Sequence, residues 1–460
     1  MSRLVVVSNR VAKSDAKGQA TGGLAVAVLA ALRESNGLWF GWSGKTVPHT
    51  PGGAQIDDSG SPTYATVDLN RTDYRKYYAG YSNRSLWPLF HYRLDLVHFD
   101  PAFFEGYRRV NRQFARQLLP LLQSDDLVWI HDFHLIMMGE ELRRAGVEHP
   151  LGFFLHIPFP SLEVFSALPR YEQIGRALAA YDVLGFQTES DLRAFHDYVR
   201  QDAGGKVHRN GIVELFGRRL YARAFPIGID TEDVARLARA SGRSLQSRRL
   251  VDSLLNRRLI IGVDRLDYSK GLVKRFRAFE KLLQTYPGNR GNVTLLQIAP
   301  PTRSDVHEYT EIRQALETQA GHINGRYAEF DWSPIRYLNK GFARSTLMGF
   351  FRSSHVGLVT PLRDGMNLVA KEFVAAQTPE DPGALVLSRF AGAARELDGA
   401  LIVNPYDIAG VAEALQTAIE MPLAERVERW SHMYDIVVRN DVSAWRENFL
   451  GALERLPGRK

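Results

Sequence analysis

The 460-residue chain contains 45% hydrophobic and 24% charged residues, a composition typical of a globular protein long enough for two domains. The absence of cysteine excludes disulfides, cysteine-ligated zinc, iron–sulfur clusters and thiol nucleophiles. The 58 basic and 51 acidic side chains give a formal charge of +7, and their scattered distribution favours small phosphorylated substrates over nucleic acid.

The N-terminal residues lack the pattern of a signal peptide. The longest apolar stretch, Leu24 to Leu32, is far shorter than the roughly 20 residues of a membrane-spanning helix. These features predict a cytoplasmic protein with no membrane partner.

Short β-branched segments alternate with amphipathic segments along the chain, which predicts an α/β fold of parallel sheets covered by helices. The strands predicted in the first half are Leu4–Ser8, Leu127–His131, Gly152–Ile157, Val183–Gln187 and Ala224–Ile229. Those predicted in the second half are Leu259–Val263, Val293–Ile298, Val356–Thr360, Leu385–Ser388 and Leu401–Val403.

The segments between the strands indicate how the chain is organised. The run Gly228–Arg258 lies between the two strand-rich halves and is interpreted as the domain junction. The polar segments Val47–Pro62 and Gln201–Gly211 are typical of loops or hairpins. Two amphipathic helices are predicted, one after Gly271 and one over Val442–Leu456.

In the first half, chemically useful side chains follow predicted strands, where open α/β sheets bind ligands. Arg10 follows the first strand, and Gly22 with Gly23 precedes an apolar helix, either as a ligand approach or as a tight turn. Asp132 and His156 each end a strand; Asp132 suits a hydroxyl ligand, and His156 suits a ligand or a buried structural role equally.

Two further groups in this half have alternative interpretations. The aromatic residues Tyr77, Tyr78, Tyr81 and Trp87 form either ordinary core or a wall for a sugar ring. The His-x-x-His spacing at His131 to His134 has no third ligand nearby, so metal catalysis is not expected.

In the second half, cations follow predicted strands. Arg265 and Lys270 lie between a strand and a helix, and Arg303 follows the next strand. Arginine offers a planar fork to phosphate oxygens and lysine a mobile charge. The alternative is that Arg265 and Lys270 are solvated bases paired with nearby aspartates.

The segment Pro361–Glu372 combines a strand end, a glycine turn and a helix start. Free N–H groups and the positive end of a helix dipole favour a phosphate or diphosphate. Like charges repel, so Asp364 and Glu372 are better suited to sugar hydroxyls. The segment therefore predicts a nucleotide-sugar site.

Several separated motifs together resemble glycosyltransferase family 20, the trehalose-6-phosphate synthases, in their enterobacterial form. The similarity runs almost end to end, with the loops around 45–66 and 200–222 divergent. The motifs are Ser8–Arg10, Gly22–Leu24, Trp39–Trp42, Trp87–Pro88, His91–Asp95, Trp129–Asp132, His156–Pro160, Val263–Gly271 and Arg363–Glu372.

The resemblance implies a GT-B fold, two Rossmann-like doubly wound domains with a catalytic cleft between them. Residues 1–230 would form the acceptor domain and 231–441 the donor domain, with helix 442–456 packing back on the first. It implies a retaining transfer of glucose from UDP-glucose to glucose 6-phosphate, giving α,α-trehalose 6-phosphate and UDP in trehalose biosynthesis, a family associated with stress response.

The resemblance also assigns residues. Catalysis would involve Arg265, Lys270, Asp364 and His156, with Arg265 and Lys270 on the diphosphate. The donor would contact Gly22, Gly23, Arg265, Lys270, Phe342, Asp364, Gly365, Met366, Asn367, Leu368, Val369, Ala370, Lys371 and Glu372. The acceptor would contact Arg10, Tyr78, Trp87, Asp132 and Arg303, the two arginines taking its 6-phosphate.

The family shows no carboxylate nucleophile, so the expected mechanism is front-face attack without a metal or other cofactor. A catalytically silent sugar-phosphate sensor and a validamycin-type pseudo-glycosyltransferase are the alternatives on this fold. The sequence leaves open the preference among UDP, GDP and ADP donors, and whether the chain forms a homo-oligomer such as a dimer or tetramer.

Overall fold

The computed structural model describes residues 2–11, 23–49, 52–302 and 307–455. Gly22 and Arg303 therefore lie outside the described residues. The chain divides into two compact units, residues 1–227 with 442–460, and residues 228–441. Among the described residues, no helix has the length and apolar character needed to cross a membrane.

The first unit is an α/β domain built on a sheet of ten described strands. Its strands are β1 (Leu4–Arg10), β2 (Leu38–Val47), β3 (Gln55–Asp57), β4 (Thr63–Asn70), β5 (Leu127–His131), β6 (Leu151–Phe154), β7 (Val183–Phe186), β8 (Lys206–Val207), β9 (Ile212–Leu215) and β10 (Arg218–Ala224). Its first helices are α1 (Gly23–Glu34), α2 (Arg71–Asp73), α3 (Trp87–Phe90), α4 (Pro101–Leu118), α5 (Met138–Arg144), α6 (Leu162–Phe165), α7 (Tyr171–Leu178) and α8 (Glu189–Gln201). A π-helix, Tyr74–Leu86, connects α2 to α3.

The second unit is also an α/β domain, built on a sheet of six described strands. Its strands are β11 (Arg258–Val263), β12 (Val293–Ile298), β13 (Ile335–Leu338), β14 (Val356–Val359), β15 (Ala384–Ser388) and β16 (Leu401–Val403). Its helices are α9 (Thr231–Gly242), α10 (Leu245–Asp252), α11 (Leu272–Thr285), α12 (His307–Tyr327), α13 (Arg344–Arg352), α14 (Leu368–Ala376), α15 (Ile408–Glu420) and α16 (Leu423–Arg439). The last helix, α17 (Val442–Glu454), belongs to the first unit.

In both sheets the order in which successive strands are added reverses at one point, the topological switch point. In the first unit the described strands lie in the order β3-β4-β2-β1-β5-β6-β7-β10-β9-β8, parallel from β4 to β10. In the second the described strands lie in the order β13-β12-β11-β14-β15-β16, all parallel. The chain therefore winds outward on both sides of β1/β5 and of β11/β14, which are the places where doubly wound sheets bind ligands.

Most sequence-predicted elements are confirmed, and the exceptions have local causes. Three predicted strands, Leu127–His131, Val293–Ile298 and Leu401–Val403, have the observed bounds. The strand predicted at Ala224–Ile229 is wrong, because β10 ends at Ala224 and Pro226, which lacks an N–H, follows at once. The segment interpreted as a junction is mostly helical, since it forms α9 and α10.

Helix α17 is held on the first sheet by aromatic packing. Phe449 is fully buried and stacks on Trp129 with the ring centroids 4.6 Å apart. Gly152 and Gly185 make room for this ring, since an added Cβ would lie 2.7 Å and 2.8 Å from it. The sheet face and the helix are therefore matched in shape.

We expect Phe449→Ala to lower the free energy of unfolding by about 3–5 kcal/mol, because glycines on the facing strands cannot fill the resulting cavity. Urea denaturation measures the loss. Glu447→Ala, on the same helix with a side chain 72% exposed, serves as the control and should change stability little. A loss below about 1 kcal/mol for Phe449→Ala would contradict the packing argument.

Candidate functional site

The second unit places two loops side by side at its switch point. One is Asp264–Gly271, after β11, and the other is Thr360–Asn367, after β14. The Leu362 N–H donates to the Ser269 carbonyl over 2.7 Å. Gly271 has φ +69°, and a Cβ there would come 2.5 Å from the Thr360 carbonyl oxygen. Only glycine permits this close approach of the two loops.

Lys270 and Asp364 connect the same two loops through their side chains. The Lys270 ammonium lies 2.5 Å from Asp364 Oδ2, and both side chains are largely buried. Asn367 Nδ2 donates to that oxygen over 3.0 Å. Arg265 differs from its neighbours because it is the exposed member of a run, Asp264–Gly271, that is otherwise buried. Lys270 therefore pairs with Asp364 on the other loop, and not with the aspartates near it in sequence as the alternative interpretation expected.

The glycine turn before α14 is braced from behind. Asp364 N–H donates to the Phe390 carbonyl over 3.0 Å, and Ala393 N–H donates to the Met366 carbonyl over 2.8 Å. A Cβ at Gly392 would come 1.9 Å from the Gly365 carbonyl oxygen, so this contact also requires glycine. The turn is therefore held in place independently of any ligand.

Helix α14 begins at this turn, and its first two residues, Leu368 and Val369, are partly exposed. Asn367 is the N-cap, with φ +76°, and its side chain accepts from the Ala370 N–H. Asparagine tolerates this left-handed conformation better than most residues. The turn and the helix start thus offer unpaired donors and a positive dipole to an anion.

Two charged residues within α14 have protein partners. The buried Lys371 ammonium lies 2.6 Å from Glu396, and burial lowers its pKa. Glu372 Oε1 lies 3.7 Å from Arg344 Nε. Burial raises the pKa of Glu372, and Arg344 opposes that shift. The Lys371 side chain is therefore structural, whereas Glu372 remains partly exposed.

A buried arginine that the sequence reasoning missed lies beneath both loops. Arg275, on α11, is 1% exposed. Its guanidinium donates to Asp264 (2.5 Å), Gln297 (2.8 Å) and Thr360 (3.0 Å), which come from three neighbouring strand ends. A charged residue on the apolar face of α11 was the available signal, because such a residue needs a buried acid as partner.

Phe342 follows β13 at the same edge of the sheet. It packs against Phe350 with ring centroids 5.6 Å apart, and the Lys340 ammonium lies 5.3 Å from its ring. Phe342 therefore lies in the loop between the carboxyl end of β13 and the start of α13.

The first unit places Arg10 and Asp132 at its own switch point. Arg10, exposed at the end of β1, passes over Gly44, where a Cβ would come 2.7 Å from its Nε. Asp132 follows β5 with φ +75°, which is strained for a residue with a side chain. Its Oδ1 accepts from the His156 N–H over 3.2 Å. The strain and this bond fix the direction of the carboxylate.

Aromatic residues surround the same sheet edge. Tyr78, in the π-helix, stacks on His134 at 5.8 Å with an interplanar angle of 12°. Trp87 is buried and packs on His91 (4.1 Å) and Phe133 (5.6 Å). Sequence patterns did not indicate the π-helix, a rare form that is frequent at functional sites.

His156, two residues past β6, belongs to a buried polar group. Its Nε2 lies 3.1 Å from Nδ1 of His131, and its Nδ1 lies 3.4 Å from Nε2 of Gln187. Burial lowers the pKa of His156 to about 3 and lowers the pKa of His131 well below its usual value. Both rings are therefore neutral at physiological pH.

The described residues contain no group of three or more metal-ligating side chains. The carboxyl edge of the sheet in each unit instead supplies cations, carboxylates, amides and aromatic rings. Such a set suits binding of phosphate groups and sugar hydroxyls.

Comparisons with known proteins agree with this chemistry. The model of glycosyltransferase family 20 matches residues 2–455. A curated relative from Enterobacter sp. (strain 638), trehalose-6-phosphate synthase, is 50% identical over 456 residues, covering 99% of this chain and 96% of the relative.

Solved structures are similar over the whole chain. A UDP-forming α,α-trehalose-phosphate synthase from Burkholderia xenovorans in complex with glucose-6-phosphate is 54% identical, with a TM-score of 0.95, covering 98% of this chain and 100% of that one. An E. coli structure bound with UDP-2-fluoro glucose is 49% identical, with a TM-score of 0.95, covering 100% of both chains. With its two Rossmann-like sheets the chain has the GT-B fold. The chain belongs to glycosyltransferase family 20.

Proposed function

We propose that the protein transfers glucose from UDP-glucose to glucose 6-phosphate, giving α,α-trehalose 6-phosphate and UDP. The observation that carries the proposal is the pairing of Lys270 with Asp364 at the glycine turn before α14. This places a cation, a carboxylate and free helix N–H groups within one braced loop pair. Relatives that are about half identical carry the same activity in their names.

On the donor side, Arg265, Lys270 and the start of α14 bind the diphosphate. The Lys270 ammonium has three N–H donors, and Asp364 uses only part of them. Asp364 and the backbone N–H groups beside it bind the glucose hydroxyls, and Glu372 binds the ribose. The remaining residues of this assignment are Gly22, Gly23, Phe342, His156, Met366, Asn367, Ala370 and Lys371.

On the acceptor side, Arg10 and Arg303 bind the 6-phosphate of glucose 6-phosphate. Asp132 accepts a hydrogen bond from a sugar hydroxyl, and Tyr78 with Trp87 provides the aromatic wall. The strained backbone of Asp132 supports this role, because strain clusters where a side chain is held for a ligand.

The reaction proceeds by front-face attack with retention. The bond between the donor's anomeric carbon and the diphosphate oxygen breaks, and the acceptor's anomeric hydroxyl oxygen forms a bond on the same face. The acceptor proton passes to the departing diphosphate oxygen. Lys270, Arg265 and the α14 dipole stabilise the charge that develops on that group.

The test incubates the protein with UDP-glucose and glucose 6-phosphate and measures UDP release and the disaccharide phosphate by NMR. Absence of both products contradicts the proposal and favours the sugar-phosphate sensor. A second reaction supplies a nucleotide-linked cyclitol as donor, and a product without a glycosidic bond there identifies the pseudo-glycosyltransferase. Parallel reactions with GDP-glucose and ADP-glucose determine the nucleotide preference.

Arg10→Ala should raise the KM for glucose 6-phosphate roughly 10- to 100-fold, because a charge-assisted contact to the phosphate is lost. The KM for UDP-glucose should change less than about twofold. In the control Arg33→Ala, on α1, the KM values for both substrates should change less than about twofold. Arg303→Ala should act like Arg10→Ala. Equal effects on both substrates would refute the assignment to the acceptor phosphate.

Three further properties belong to the same proposal: no metal cofactor, a cytoplasmic location and self-association as a dimer or tetramer. Activity should persist in excess EDTA, and light scattering measures the oligomeric mass. Loss of activity in EDTA that Mg²⁺ restores would overturn the metal-independent mechanism.

A further inference from the structure

The histidine pair His131 and His156 shares a single proton between its facing nitrogens. His131 Nδ1 and His156 Nε2 are 3.1 Å apart, and the rings stack with centroids 5.3 Å apart at 21°. At that separation one nitrogen donates and the other accepts. The distance alone does not say which ring carries the proton.

Gln187 decides the direction of that bond. The Ile227 N–H donates to Gln187 Oε1 over 3.1 Å, and a backbone N–H can only donate. The amide is therefore oriented with Nε2 toward His156 Nδ1, 3.4 Å away. Because an amide NH₂ also only donates, His156 Nδ1 is the acceptor and carries no proton.

The tautomers of both rings follow. Neutral His156 holds its proton on Nε2 and donates it to His131 Nδ1, so neutral His131 holds its own proton on Nε2. His131 Nε2 is buried and has no hydrogen-bond partner among the described residues. A reversed bond would place the His131 proton on Nδ1 and the His156 proton on Nδ1, so that His156 and the Gln187 NH₂ would face each other as two donors.

The surroundings keep the pair uncharged. His156 is contacted by His131, the last residue of β5, and by Asp132, which follows it. It is also contacted by Gln187, directly after β7, and by Trp445 of α17, whose ring is 6.1 Å away. His131 and Asp132 are the titratable groups in these contacts, and the Asp132 contact is to the His156 backbone N–H. Burial lowers the pKa of both histidines.

We propose that Gln187 is a positioning residue of the glycosyl transfer: oriented by Ile227, it fixes the tautomer and ring plane of His156 through the series Gln187–His156–His131. This inference rests on the proposed function in one respect, the location of His156 beside the donor glucose. Both ring nitrogens of His156 are engaged within the protein, so the ring meets the sugar through its face and its C–H edge. Because the ring is fixed and neutral, that surface is held in one orientation and carries no charge, and no free energy is spent on selecting it.

Gln187→Glu is the sharpest test, because it replaces an N–H donor by a carboxylate of the same shape. The carboxylate accepts a proton from His156 Nδ1 and stabilises the imidazolium, which raises the pKa of His156. We expect a new acidic limb in kcat/KM for UDP-glucose between about pH 5 and 7, with activity falling as pH falls. The wild type should lack this limb.

Gln187→Leu removes the donor without adding charge. It should lower kcat/KM for UDP-glucose roughly tenfold, the scale seen when a partner that orients a functional histidine is lost. The KM for glucose 6-phosphate should stay within about twofold. Gln201→Glu, at the exposed end of α8, is the matched control and should leave the pH profile unchanged.

Long-range ¹H–¹⁵N NMR of histidine-labelled protein tests the tautomers without any activity. In the wild type, His156 and His131 should both be protonated on Nε2 only, with assignment from His156→Gln and His131→Gln. A proton on His156 Nδ1 in the wild type would overturn the proposal, as would wild-type kinetics in both Gln187 variants. An inactive wild type with the expected tautomers would instead contradict the proposed function alone.

Discussion

Lys270→Met is expected to lower kcat roughly 10²- to 10³-fold, the loss typical of removing one group that stabilises developing charge. The ammonium is 2.5 Å from Asp364, and Lys270 lies in the loop between β11 and α11. In the proposed reaction it neutralises the departing diphosphate in the transition state, a task that metals perform in other transferases. Steady-state kinetics with both substrates saturating measures the effect.

Two comparisons separate this role from support of Asp364. Lys281→Met, on the exposed face of α11, should keep kcat within about twofold. If Lys270 acts only by holding Asp364, the double variant Lys270→Met/Asp364→Asn should be no worse than Asp364→Asn alone. We expect the double variant to be at least tenfold worse. Retention of wild-type kcat in Lys270→Met would contradict the leaving-group assignment.

Arg275→Met is expected to cost about 3–5 kcal/mol of unfolding free energy, because it leaves the Asp264 carboxylate buried without its cation. The Arg275 side chain is 0% exposed and that of Asp264 is 2% exposed. The same change also releases Gln297 and Thr360, so the two loops of the second unit lose their common support. Urea denaturation measures the loss.

The pH dependence of that loss identifies its cause. Burial raises the pKa of Asp264 even though Arg275 opposes it, so the folded state binds the Asp264 proton more tightly than the unfolded state. Ionisation of Asp264 therefore costs stability as the pH rises from the unfolded pKa, about 3.9, through the folded pKa. Removing Arg275 raises the folded pKa further, so the loss should be smaller at pH 5 than at pH 8.

Asp264→Asn in the Arg275→Met background should recover part of the stability at pH 8, since no buried charge then remains. Arg277→Met, exposed on the same helix, is the control and should be neutral. A loss that is equal at pH 5 and pH 8, with no recovery in the double variant, would show that packing of the side chain matters rather than its charge.

Much of the fold was accessible from local patterns. Strands buried on both faces are continuous apolar runs, so β5 and β12 were predicted with their observed bounds. The bounds of β16, a partly exposed edge strand, were also predicted. Residues that follow such runs were correctly expected at a carboxyl edge, and Arg10, Asp132, Lys270 and Asp364 are found there. Strand β10 was misplaced because its alternating polar residues, Arg218 to Ala224, resemble a loop more than a core strand.

The sequence by itself determined the α/β class, the family, the order of strands and loops along the chain, and the candidate residues at strand ends. Only the tertiary structure decided the two switch points, the Lys270–Asp364 pair, the burial of Arg275 and the tautomer-setting contact of Gln187 with His156. The physical reason is the range of the interactions. Propensity and hydrophobic period act within a few residues, whereas these contacts join residues 11 to 94 positions apart and form only when the sheets are assembled.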